Sequence, residues 1–244
     1  MMRFSLLTFL LLLPVMHASA DPPTDTLVAE VEKAIFKETN QFRDKHDLPS
    51  LSKSAELTKA ASKFATFMAE SGKYGHRADG STPAKRAKAA GYQYCVVREN
   101  IAYRTNTGEV TAESLTRVFV PGWIDSPPHR KNMLAEHVTE TGIAVATSDE
   151  ETYYAVVLFG RPKSATIELT ITNESGQEQA IVVAADGRSQ EIEMPPRGVV
   201  TVQQCFPTTV SLKREKGDRA NAKVTVTESV ELVVTEGAIK TRAE

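Results

Sequence analysis

Apolar positions recur three and four residues apart in the first part of the chain and two apart in the last. Val28, Val31, Ile35 and Phe42 share one helical face, which predicts an amphipathic helix over residues 26–44. Leu57, Ala61, Phe64 and Met68 define a second helix, with Gly72 as its stop. Thr82-Pro83 opens a third with a cap residue and a first-turn proline, and Ala89-Ala90-Gly91 closes it. Residues 109–120 are helical in composition, with Ala112, Leu115 and Phe119 on one side. Pro121-Gly122 is expected to break or kink that helix. Residues 95–103 read as extended. Two β-rich runs, 141–146 and 152–159, flank the acidic turn Asp149-Glu150-Glu151 and predict a hairpin.

Beyond Gly160-Arg161-Pro162-Lys163 the period falls to two. Ile167-Leu169-Ile171, Ile181-Val183, Val200-Val202, Val210-Leu212, Val224-Val226 and Val230-Leu232-Val234 alternate with polar residues. Turn signals at Asn173-Glu174-Ser175-Gly176, Asp186-Gly187, Pro195-Pro196-Arg197-Gly198 and Lys216-Gly217-Asp218 separate them. Short strands at this spacing predict a small all-β sandwich or barrel. The boundary is expected near Lys163, with one domain over 25–162 and a β-domain over 164–240.

The start of the chain reads as a secretory signal over residues 1–20. Arg3 supplies the charge, Leu6 to Val15 the apolar run, and Ala18-Ser19-Ala20 the cleavage site. No later stretch approaches the roughly 18 apolar residues of a membrane span. Without that signal, 29 basic residues less Arg3 face 31 acidic ones, a net charge of about −3. That balance leaves no electrostatic footprint for nucleic acid or for an anionic membrane. A secreted, extracytoplasmic protein is expected. Cys95 and Cys205 are the only cysteines. In an oxidising compartment they are disulfide candidates, and two separate buried thiols are the alternative.

Chemistry concentrates in the stretch from Trp123 to Leu134, which sets His129 behind Pro127-Pro128 and beside the only tryptophan. The prolines forbid a continuous helix, so His129 is expected on a stiff turn. His76 follows Tyr74-Gly75, and Glu99 lies in Arg98-Glu99-Asn100-Ile101. Asn40 and Arg43 read as a tie from the first helix to the next loop. Trp123 reads as a core anchor, His46 as a solvated helix end and His137 as a rival ligand. Asn173-Glu174-Ser175 fits the N-glycosylation pattern.

Taken in order, residues 27–162 resemble the CAP superfamily of cysteine-rich secretory, antigen 5 and pathogenesis-related proteins, closest to its bacterial secreted branch. The motifs are Asn40-Gln41-Phe42-Arg43, the 57–69 helix, Gly75-His76, Glu99-Asn100-Ile101, Trp123 to Leu134, and Tyr154 to Gly160. The resemblance implies an α-β-α sandwich, so the whole chain is expected to be α+β, and it implies a cleft with two histidines and two acids. His76 and His129 match the histidine pair and Glu99 one acid. Ser126 stands where eukaryotic members carry the second acid, with Asp125 adjacent. Arg98 stands where glycine is usual, and Pro121 interrupts a helix that normally runs on to the tryptophan.

Two neutral imidazoles beside a carboxylate can hold a divalent metal, zinc or else calcium or magnesium, so His76, His129 and Glu99 are the candidate ligands. A hydrogen-bonded His–Glu–Asn cluster that merely fixes the wall is the alternative. Ser126, Asp125 and Asn100 are expected to line the cleft. No catalytic residue is assigned, because no Gly-x-Ser-x-Gly or His-Glu-x-x-His pattern is present. The expected function is a binding module for a small apolar, lipid or cell-envelope ligand. A metal-dependent hydrolase of peptide or envelope polymer, and a structural or adhesive module for a protein partner, are the alternatives.

Overall fold

The computed structural model describes residues 24–105, 110–149, 151–213 and 222–242. The expected signal, Glu150 and the turn at Lys216-Gly217-Asp218 lie outside these residues. The first part of the chain runs α1 (Thr24–Asp44), β1 (Ser52–Lys53), α2 (Ala55–Ser71), α3 (Pro83–Ala89), β2 (Tyr94–Thr105), α4 (Ala112–Asp125), α5 (Pro127–Met133), β3 (Glu140–Ala146) and β4 (Thr152–Pro162). Its strands form one sheet in the order β1-β3-β4-β2. β4 is antiparallel to both β2 and β3, and β3–β4 is the expected hairpin.

Helices cover both faces of this sheet. Tyr153, Ala155, Val157 and Phe159 of β4 turn to a core built with Val31 and Ile35 of α1 and Leu115, Phe119 and Trp123 of α4. Tyr154, Val156 and Leu158 turn the other way, to Leu57, Phe64 and Met68 of α2 and Ala87 of α3. Successive side chains of a strand point to opposite faces, so a strand buried on both faces reads as an unbroken apolar run.

Local chemistry sets the helix ends. Ser54 Oγ accepts from the Leu57 N–H at the start of α2, and Gly72 closes it in the left-handed region at φ 65°. Thr82 Oγ1 accepts from the Lys85 N–H ahead of the first-turn Pro83 of α3. Of the break or kink expected at Pro121-Gly122, the break is absent: α4 runs through Pro121 to Asp125. Phe119, Val120 and Trp123 are buried along it, and their burial outweighs the one hydrogen bond that proline removes.

The second part runs β5 (Ile167–Asn173), β6 (Gln179–Ala185), β7 (Arg188–Met194), β8 (Val199–Gln204), β9 (Thr208–Leu212), β10 (Lys223–Val226), β11 (Val230–Thr235) and β12 (Ala238–Thr241). Two four-stranded sheets, β10-β9-β6-β7 and β12-β11-β5-β8, close on a shared apolar core that includes Leu169, Ile171, Ile181, Val210 and Leu232. This is a β-sandwich. Asp186 (φ 47°) and Gly187 (φ 73°) make the two-residue turn between β6 and β7, a position where left-handed residues match the strand twist. Asn173 is fully buried, and its Nδ2 donates to the carbonyls of Gln177, Met194 and Pro195. Its amide is therefore closed to glycosylation as folded.

A disulfide joins Cys95 in β2 to Cys205 just past β8, bridging 110 positions with the Cα atoms 5.4 Å apart. The His137 ring lies 5.2 Å from that of Phe206 beside it. The two parts are thus covalently tied on the strand that carries Glu99.

Gly142 of β3 lies directly under the start of α2. A Cβ there would collide with the Leu57 carbonyl carbon and the Thr58 nitrogen. Backbone cannot yield as a flexible side chain can, so Gly142→Ala is expected to lower the unfolding free energy by about 3 kcal/mol, measured by chemical denaturation. A loss under about 0.5 kcal/mol, the range of an ordinary surface substitution, would contradict this packing.

Candidate functional site

His76 is presented by the loop that leaves α2. Gly75 takes φ 135°, a conformation open mainly to glycine, and so turns the chain to bring His76 over β2. His76 Nδ1 lies 2.8 Å from Glu99 Oε1. The Glu99 side chain is only 1% exposed, and its other oxygen accepts from Arg86 Nη2 at 2.6 Å. Arg86 comes from α3 and is itself buried, with its guanidinium carbon 3.5 Å from the Phe64 ring centroid. It also donates to Asp79 Oδ1 at 2.9 Å and to the His76 carbonyl at 3.2 Å. One arginine therefore holds both the histidine's backbone and its carboxylate partner. A carboxylate only accepts, which assigns the proton to Nδ1 and leaves Nε2 on the open side.

His129 sits on α5 rather than on the expected stiff turn. Pro127 and Pro128 occupy the first turn, where the N–H groups have no intrahelical partner to lose, so they start a helix instead of preventing one. The break with α4 does fall before them, at Ser126. Asn100 Nδ2 donates to the His129 carbonyl at 3.1 Å, and Asn132 Nδ2 donates to Asn100 Oδ1 at 2.9 Å and to the Glu99 carbonyl at 3.0 Å. At the far end of α5, Arg43 Nη1 donates to the carbonyls of Met133 and Ala135 at 2.8 and 3.0 Å. Arg43 is fully buried, and that burial pushes its pKa down.

The two imidazole rings end 6.4 Å apart between centroids, tilted by 48°. Burial, and after it the neighbouring His76, push the His129 pKa below the usual histidine value. The neutral, lone-pair-bearing form is therefore favoured at neutral pH. Beside the pair runs a row of tyrosines. Tyr74 and Tyr103 are 47% and 53% exposed and meet edge to face at 4.8 Å, and Tyr103 stacks on Tyr154 at 6.0 Å. Tyr74 Oη donates to the Ile101 carbonyl at 3.2 Å, and Trp123 Nε1 donates to the same carbonyl at 3.1 Å.

The structure brings His76, His129 and Glu99 together but gives Glu99 a different task. Both of its oxygens are committed, so it orients His76 instead of offering a free ligand atom. Among the described residues, no group of three or more His, Cys, Asp or Glu side chains is placed to hold a metal ion. Asn100 does not line the cleft; it is fully buried and pins β2 to α5. Ser126 starts α5 through its backbone, its carbonyl accepting from the Arg130 N–H at 2.8 Å, and its side chain makes no cap. Asp125 is exposed at the end of α4. His137 packs on Phe206, and the exposed His46 bonds the Phe42 carbonyl. Asn40 and Arg43 do tie α1 to the following loop, through Leu51 and Pro49. Arg86 and Asn132 carry much of the site, yet the sequence assigns a role to neither, although Asn132 lies inside the Trp123 to Leu134 motif. Arg86 lies between Lys85 and Lys88 in the sequence, like a solvated residue.

The model of the cysteine-rich secretory protein family, CAP, matches residues 36–159, half of the chain. The chain belongs to the CAP family. Over 122 residues it is 30% identical to the uncharacterized protein YkwD of Bacillus subtilis (strain 168), a match covering 50% of this chain and 44% of YkwD. It thus spans less than half the length of that relative. Among solved structures, an outer surface protein from Borrelia burgdorferi is similar at 25% identity and TM-score 0.48, over 55% of this chain and 94% of that one. An extracellular protein containing an SCP domain from Bacillus anthracis str. Ames is similar at 24% identity and TM-score 0.46, over 59% and 45%. In this CAP domain Arg98 faces away from Glu99 and lines a cavity of about 240 Å³ shared with His137 and Phe206. No helix among the described residues is long and apolar enough to cross a membrane.

Glu99→Ala leaves Arg86 buried with Asp79 as its one remaining carboxylate. Removing one member of a buried ion pair typically destabilises by about 3–5 kcal/mol, and the lower end is expected here because Asp79 stays. Denaturant unfolding of the variant measures it, and a loss below about 1 kcal/mol would show the pair to be solvated.

Proposed function

We propose that the His76–His129 cleft binds a small apolar or cell-envelope ligand outside the cytoplasm without transforming it. The observation that carries this reading is the pairing of two partly exposed imidazoles, their rings 6.4 Å apart, with the exposed Tyr74–Tyr103 row. Aromatic faces offer apolar contact area at low entropic loss, while the imidazoles supply directional polar contacts. The hydrolase alternative is disfavoured because Glu99, the acid at the pair, has neither oxygen free to act as a base. The Cys95–Cys205 disulfide supports an oxidising, extracytoplasmic setting.

The donor set bears on a metal as well. Two imidazole nitrogens suit zinc, whereas calcium and magnesium prefer oxygen ligands that this site does not free. His76 and His129 would hold such an ion, with Glu99 setting the His76 tautomer from behind as outer carboxylates do. Bound there, zinc would supply a positive centre for a carbonyl or anionic group of the ligand. Two protein ligands fit a weak site completed by ligand or water, not a closed structural one.

Tyrosine fluorescence titrations with soluble cell-wall fragments and with a short-chain lipid, each with and without zinc, test the proposal. Binding of at least one class is expected, weakened about tenfold or more by Tyr103→Ala. Zinc enhancement should disappear in His129→Ala. Absence of binding by both classes, or binding indifferent to Tyr103 and His129, would contradict the reading.

A further inference from the structure

Between α2 and α3 lies a cavity of about 320 Å³ that neither His76 nor His129 lines. Ala60 and Phe64 of α2 and Ala89 of α3 give it an apolar lining. Its charged groups are Lys63 from one helix, Lys85 from the other, and Arg86 and Asp79 in the wall. Asp79 is already committed: it pairs with Arg86 and accepts from the Ser81 N–H and hydroxyl. Lys63 and Lys85 are exposed, and neither forms an ion pair among the described residues.

The hollow therefore combines an apolar floor with two uncommitted positive charges, one on each helix. A volume near 300 Å³, apolar walls and a few convergent polar groups are the ordinary features of a small-molecule site. We propose that this cavity is a second binding site, separate from the histidine cleft, for a small amphiphile with an anionic head. The alkyl part lies against Ala60, Phe64 and Ala89. The carboxylate or phosphate head meets Lys63 and Lys85, where charge-assisted hydrogen bonds are stronger than neutral ones. Arg86 closes the inner wall: Glu99, Asp79 and the His76 carbonyl take its Nη groups, and its buried Nε has no hydrogen-bond partner.

Decanoate and decyltrimethylammonium, matched in chain length and opposite in charge, are the probes. Each is titrated into the whole chain by calorimetry below its micelle concentration, and amide NMR locates the contact. Decanoate should bind and move the amides around Ala60 and Ala89, while decyltrimethylammonium should not. The double variant Lys63→Glu/Lys85→Glu should weaken decanoate about tenfold or more. Ala89→Trp, at an exposed position, fills the hollow and should abolish binding with the melting temperature retained. Decanoate binding should persist in His129→Ala, which separates this site from the cleft. Equal binding of the two head groups, no binding of decanoate, binding unchanged in both cavity variants, or its loss in His129→Ala would each overturn the proposal.

Discussion

A buried carboxylate shared between an arginine and an imidazole is the constraint from which the rest of the site follows. Glu99 sits at the middle of β2 with almost no contact with water, and a lone charge there would carry a heavy desolvation penalty. Arg86 and His76 remove that penalty from two sides. In doing so they join α3, the loop after α2 and the edge strand of the sheet at one point. Phe64 beneath the guanidinium makes the arrangement part of the apolar core as well. The same pairing that holds the strand and helix together thus decides which nitrogen His76 leaves unbonded.

The second histidine is placed by a different route. Backbone carbonyls and amide side chains, rather than a carboxylate, place its helix. Asn100 and Asn132 bond α5 to β2 along the helix, and Arg43 gathers the carbonyls at its end. A buried guanidinium satisfied by carbonyl oxygens alone is rigid and specific, because its planar fork fixes the direction of every bond it makes. Two side chains far apart in the chain therefore face each other through two independent sets of hydrogen bonds.

The layers of this fold are legible in the sequence, because burial on one face leaves a period. The stripe of α2, the caps at Ser54 and Thr82, the doubly buried run of β4 and the alternation of β5 are all direct consequences of packing. β7 is not legible, since Arg188-Ser189-Gln190-Glu191 faces water and only Met194 of the strand is fully buried. Pro121 and Pro127-Pro128 mislead for a common reason. A proline removes one donor, and that loss is small where the helix is anchored by buried aromatics or where the donor had no partner. At the site, His76, Glu99 and His129 are visible through their family motifs; Arg86 lies outside all of them, and Asn132 lies inside one without a role being apparent. Their importance arises from long-range contacts that leave no local pattern. Asn100 reads as a lining residue for the same reason, since nothing local reveals that an amide bonds to a helix 29 positions away.

The tautomer of His76 reports on this lock most directly. Long-range ¹H–¹⁵N NMR of the histidine rings in mildly alkaline buffer distinguishes a proton on Nδ1 from one on Nε2. Glu99 held between Arg86 and His76 predicts the proton on Nδ1, with Nε2 bare toward the cleft. A proton on Nε2, or the fast-averaged mixture of a free imidazole, would contradict it.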